Sequence, residues 1–149
     1  MTQLDARKAL DAIKALVLPA IQPTQEENQI INQIYTSLER NLQLIAEKLN
    51  IKPKFIQNHG STGIKKTHLH GTSDLDIFIG LNPREYSIIE LSPKKRRETL
   101  KKLFHSYVQE WFIPAARAAG YMSFQISYAE HPYLIISHNN YEIDIVGCF

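Results

Sequence analysis

A chain of 149 residues with 44% hydrophobic and 21% charged side chains has the balance of one globular domain with a substantial core, which excludes an intrinsically disordered chain. A formal net charge of +2 makes no case for nucleic acid on its own, although it leaves room for a local basic patch. The single cysteine, Cys148, excludes an internal disulfide framework and suits a reducing compartment. No run approaches the roughly 18 apolar residues of a membrane span. Met1 to Asp11 mixes charges without an apolar core, so the chain reads as soluble, cytoplasmic and without a membrane partner.

In chain order, Leu4, Ala9, Leu10, Ile13, Leu16 and Val17 predict a helix over residues 4–18 that stops before Pro19. A stronger stripe follows. Thr24 and Glu27 have the spacing of a capping box, and Ile31, Ile34, Tyr35, Leu38, Leu42, Ile45 and Leu49 predict a helix reaching Asn50. That face reads as packing. A strand is expected from about Lys54 to Asn58, then a turn at Gly60-Ser61 with a short helix through Lys66 or Thr67. The alternating run Asp74 to Gly80 predicts a second strand, ending near Asn82-Pro83.

This strand opens with chemistry. Residues i and i+2 of a strand share a face, so Asp74 and Asp76 project together, roughly 6.6 Å apart at the backbone. Two adjacent acids repel, and a hard cation explains their company: Mg²⁺ is held by one or two carboxylates plus substrate phosphates. The Gly60-Ser61 turn supplies the complement, because glycine lets a backbone approach a phosphate and successive N–H groups cradle it. Anion-binding turn and metal-binding strand together are what a nucleoside triphosphate site requires.

Ser92-Pro93 has the form of a helix start. Leu100, Leu103, Phe104, Tyr107, Val108, Trp111 and Phe112 continue the apolar face, with Pro114 bending or interrupting the helix before Gly120. Lys94, Lys95, Arg96, Arg97, Lys101 and Lys102 crowd its beginning; a phosphate-backbone contact would justify them, but a solvated basic face is the commoner explanation. Strands are expected at Tyr121 to Ala129, at Tyr133 to Ser137 and, after a tight Asn139-Asn140 turn, at Tyr141 to Val146. On the last, Tyr141, Ile143 and Ile145 make an apolar face, while Glu142 and Asp144 point the other way. The architecture is α+β, with about five strands in one mixed sheet and helices packed on one side. His68 and His70 read as loop residues, since no third His or Cys completes a zinc set. Cys148 reads as packing.

Gly60-Ser61, the pair Asp74 and Asp76, and a later strand carrying Asp144 resemble the polymerase β nucleotidyltransferase superfamily. Within it, Tyr128-Ala129-Glu130-His131-Pro132-Tyr133 and Tyr141-Glu142-Ile143-Asp144-Ile145-Val146-Gly147-Cys148-Phe149 resemble the head domain of archaeal-type (class I) CCA-adding enzymes. The resemblance implies a polymerase β-like fold over residues 1–149, helices 1–50 included. It implies addition of C, C and A to the tRNA 3′ end from CTP and ATP by two-metal transfer with Mg²⁺. Asp74, Asp76 and Asp144 would be the catalytic, metal-binding triad. Gly60, Ser61 and Thr67 would contact the nucleotide together with Lys65 or Lys66, which compete because residues 62–66 run one residue longer than the usual turn. Glu130 and His131 would lie by the primer end or incoming nucleotide. The family's enzymes also carry a neck, body and tail, so the chain reads as the catalytic head alone, with little tRNA extension expected of it. Two alternatives stand beside this: a small-molecule or oligoadenylate-type nucleotidyltransferase, and a non-catalytic binding module of the same fold.

Overall fold

A computed structural model describes residues 3–63, 67–71 and 74–149. Helix α1 spans Gln3–Ile21 and runs past Pro19 instead of stopping before it. Proline forfeits one N–H and crowds the carbonyl four residues back, but so close to the helix end only one turn is affected. The Gln22 N–H still donates to the Leu18 carbonyl at 2.9 Å and closes that turn. Leu10, Ile13 and Leu16 of α1 remain exposed. Helix α2 spans Gln25–Lys48 with both arms of the capping box made: the Glu27 N–H donates to Thr24 Oγ1, and the Thr24 N–H to Glu27 Oε2. Its stripe is buried at Ile31, Ile34, Leu38, Leu42 and Ala46.

Five strands follow: β1 Phe55–His59, β2 Asp74–Gly80, β3 Phe124–Tyr128, β4 Pro132–His138 and β5 Tyr141–Cys148. The sheet order is β1-β2-β5-β4-β3. The β2–β5 pair is parallel and the other three pairs are antiparallel. Asn139 takes the positive φ of 52° that lets the β4–β5 hairpin close tightly. The expected strand from Tyr121 begins only at Phe124, and Tyr121 is buried ahead of it. The expected helix after Gly60 is a turn over residues 60–63, the rest of it lying partly outside the described residues.

Helix α3 spans Pro93–Tyr107 and α4 spans Ile113–Ala118, joined through a π turn at Val108–Phe112. The Ile113 N–H donates to the Val108 carbonyl five residues back, and this widened turn makes room for the Pro114 ring. Pro114 therefore does not interrupt the helical run. Trp111 is fully buried and donates its indole N–H to the Leu42 carbonyl at 2.7 Å, fastening α2 to the π turn. Leu75, Ile77, Ile79, Leu134, Ile136, Ile143 and Ile145 form one core with α2 to α4. Gly147 lets α3 approach, since a Cβ there would meet the Phe104 ring at 1.9 Å. The opposite face of β2 and β5 carries Asp74, Asp76, Glu142 and Asp144, with Phe78 and Val146 beyond them. Among the described residues, no helix is long and apolar enough to cross a membrane.

Candidate active site

The parallel pairing of β2 with β5 sets Asp76 opposite Asp144 and Asp74 opposite Glu142. Neighbouring strands lie about 4.8 Å apart, so Asp76 and Asp144 stand side by side on one face, with Asp74 one pleat repeat along. The sequence placed Glu142 on this face but gave it no role; its partnership with Asp74 appears only once the strands are paired.

The turn before β2 is built against these acids. Gly60 has φ +74°, and a Cβ there would lie 2.6 Å from Asp76 Oδ2. A glycine backbone thus touches the carboxylate where any other residue would displace it. Buried Thr62 donates its hydroxyl to the Asp74 carbonyl at 3.0 Å, tying the turn to the start of β2. The Ser61 carbonyl accepts the N–H groups of Thr67 and His68 at 2.9 and 3.1 Å. His68 Nε2 sits 3.0 Å from Asn28 Oδ1, and Glu27 holds His70 Nδ1 and the Gly71 N–H. Both histidines are therefore bonded into a strap that ties residues 67–71 to the start of α2. Lys65 and Lys66 lie outside the described residues.

Electrostatics single out the same acids. Burial, then the charges of Asp76, Glu142 and Asp74, pushes the Asp144 carboxyl up to about 6. Burial and the Asp74 charge raise Asp76 as well, partly offset by His59, which is its partner across β1–β2. Asp144 Oδ1 and His59 Nε2 are buried without a hydrogen-bond partner among the described residues. The orphaned carboxylate oxygen, the all-oxygen donor set and the bare Gly60 backbone fit a hard divalent cation with a bound phosphate. Among the described residues, no three His, Cys, Asp or Glu side chains are gathered tightly enough to hold a metal by themselves.

Glu130 and His131 lie in the turn between β3 and β4, beside α3. His131 stacks on Phe104, ring centroids 4.3 Å apart, and its Nε2 donates to the Gly147 carbonyl at 2.7 Å. Gly147 lies three residues beyond Asp144, about 10 Å along the strand, and on the helix-covered face. The reason is packing: the bare Gly147 admits Phe104, and the Phe104 ring then holds the imidazole.

No family model matches the chain. Its sequence is 32% identical over 140 residues to the CCA-adding enzyme of Methanosarcina acetivorans, covering 92% of this chain and 26% of that protein. It is 33% identical over 139 residues to that of Methanosarcina barkeri, covering 93% and 27%. To that of Pyrococcus horikoshii it is 30% identical over 142 residues, covering 94% and 27%. The chain thus spans about a quarter of the length of the curated relatives it matches. Among solved structures, the RNA terminal uridylyl transferase Cid1 superposes with a TM-score of 0.65 at 15% identity, covering 94% of this chain and 36% of that one. A cytoplasmic RNA terminal U-transferase gives 0.60 at 13%, covering 94% and 34%. That likeness shows the fold alone, a mixed five-stranded sheet with helices on one face shared with these terminal transferases.

Proposed function

We propose that this chain, related over nine-tenths of its length to archaeal CCA-adding enzymes and folded as a nucleotidyltransferase, is a catalytic head that adds nucleotides from CTP and ATP to the tRNA 3′ end. The observation that carries the reading is the register of Asp76 against Asp144 beside Gly60. In the reaction the terminal 3′ oxygen attacks the α-phosphorus and a new phosphodiester forms. The bond to the β-phosphate breaks, pyrophosphate leaves, and the hydroxyl proton passes to solvent.

Each residue has a part in this. Asp74, Asp76 and Asp144 would hold divalent cations, Mg²⁺ in our reading, whose bound charge acidifies the hydroxyl and neutralises the phosphates. The Gly60-Ser61 turn brings its backbone to the triphosphate, and Lys65 or Lys66 adds positive charge there. Thr67 stands beside that turn through its bond to Ser61. Thr62 fixes the turn against β2, so donors and acids keep one geometry as charge develops. In this reading residues 1–149 form the head of a longer cytoplasmic enzyme whose remaining domains grip the tRNA.

The test is calorimetry of CTP and ATP with and without Mg²⁺, followed by labelled-nucleotide transfer to tRNA lacking its CCA end, in the full-length enzyme. Mg²⁺-dependent triphosphate binding is expected. Asp144→Ala should retain some of that binding and abolish transfer. Near-normal turnover by Asp144→Ala overturns the assignment, and Mg²⁺-independent binding points to a non-catalytic module.

A further inference from the structure

Helix α3 opens against the usual electrostatics of a helix. Its first turn carries Lys94, Lys95, Arg96 and Arg97 without an acid, and the Ser92 side chain makes no capping bond. Four cations therefore crowd the end that is already positive. Residues 94–102 hold six cations and one acid, whereas the whole chain carries a formal net charge of only +2. Arg96 has a structural task, donating to the carbonyls of Ile88, Ile89 and Leu91. Arg97, Lys101 and Lys102 have none: among the described residues the one ion pair is His70–Glu27.

These cations do not simply face solvent. Arg97 and Lys101 line a groove of about 490 Å³ between α3 and the β3–β4 turn, with Glu130 and His131 on its other side. Lys101 and His131 also line an adjoining hollow of about 370 Å³, where Lys102 and Tyr128 join them. Tyr128 is 67% exposed, while the His131 ring is held by Phe104 and the Gly147 carbonyl. The two hollows share Lys101, Ala129 and His131, so together they form a trough lined by three uncommitted cations, with an accessible aromatic ring at its Lys102 end. A positive groove with a stacking surface is how proteins track single-stranded nucleic acid.

We infer that this trough is a second RNA contact, separate from the acid-bearing face. Backbone phosphates of a single-stranded segment lie along Arg97, Lys101 and Lys102, and a base stacks on Tyr128. The choice of RNA over another polyanion rests on the nucleotidyl-transfer reading above. Glu130 is the one carboxylate in the lining and opposes the phosphates.

Fluorescence anisotropy with a labelled single-stranded RNA oligonucleotide, over a salt series, tests the inference. Replacing Lys101 and Lys102 with Glu should weaken binding at least about tenfold and flatten the dependence of log K on log salt by about 1.4, near 0.7 for each lost phosphate contact. Tyr128→Ala should weaken binding at least about fivefold and leave the salt slope unchanged, because stacking releases no counterions. Glu130→Gln should tighten it. A charge reversal at exposed Lys48 and Lys52 is the control, and circular dichroism checks that each variant is folded. Equal losses from the control pair, or an unaltered affinity in Tyr128→Ala, overturn the trough as an RNA site. Mg²⁺-dependent CTP binding is measured on the same proteins. RNA binding that fails in wild type while CTP binding persists refutes the trough alone, and the reverse refutes the transfer reading alone.

Discussion

Gly60→Ala separates two costs that usually arrive together. The first is backbone strain: at φ +74° a side chain costs about 1–2 kcal/mol. The second is a collision, since the new Cβ would lie 2.6 Å from Asp76 Oδ2. That oxygen ends a short side chain and escapes by swinging away, so the collision adds little to the stability loss. It moves the Asp76 carboxylate instead. Gly71 provides the reference, with φ +79° and nothing within 4 Å of its virtual Cβ. Both alanine variants should therefore lose a similar amount of stability, about 3–6 °C in Tm for a chain of this size. Only Gly60→Ala should also lose cation-dependent CTP binding, and for the proposed transfer a displacement near 1 Å costs about 100-fold in rate. Differential scanning calorimetry and titration calorimetry make the comparison. If Gly60→Ala binds CTP as wild type does while its Tm falls with that of Gly71→Ala, the proposed contact of turn, carboxylate and cation is wrong.

Three further outcomes follow from the packing and the charges. Asp144 has its carboxyl raised to about 6, so without divalent cation its ionisation costs stability as pH rises from about 4 through 6. Asp144→Asn should then raise the unfolding free energy at pH 7.5 by on the order of 1 kcal/mol after solvent screening of a half-exposed group, and the gain should vanish near pH 4. Glu27 is shifted the other way, to about 2, by its bonds to His70, Thr24 and Gly71. Its contribution is present above the ordinary carboxylate range and lost as pH falls through about 2; Glu27→Ala should speed amide exchange at Gly71 at neutral pH. Trp111→Phe removes the bond to the Leu42 carbonyl and part of a fully buried ring, and should lower the urea midpoint by the equivalent of about 1–3 kcal/mol.

What the sequence disclosed was local. Strand β2 falls on the predicted residues because its alternation begins and ends within seven positions, and the Thr24–Glu27 box needs only four residues to declare itself. What it withheld was relational. Alternation places Asp144 on a face of β5, but only the crossover that lays β5 parallel to β2 makes Asp76 its neighbour. Glu130 and His131 show the same limit from the other side. Their segment is recognisable as a string, but only Gly147 and Phe104, from distant parts of the chain, fix the His131 ring against α3. Pro19 failed as a stop signal because it sits near a helix end, and Pro114, expected to bend or interrupt its helix, is accommodated behind a π turn.

Those failures share a cause that bears on the chemistry. A carboxylate can be read from sequence, but its pKa depends on which other charges its strand neighbours bring, and burial is set by the sheet and not by the residue. Asp74 and Asp144 are both strand acids followed by an apolar residue. Asp74 lies exposed at the start of β2, while Asp144 sits mid-strand between charged neighbours with one oxygen unpartnered. The fold therefore makes Asp144 the acid that gains most from a cation, because binding relieves repulsion and supplies the missing partner together. On this argument Asp144→Asn should weaken Mg²⁺ affinity more than Asp74→Asn in a direct titration of the isolated chain. The reverse order would mean that exposure, not accumulated repulsion, decides which carboxylate holds the ion.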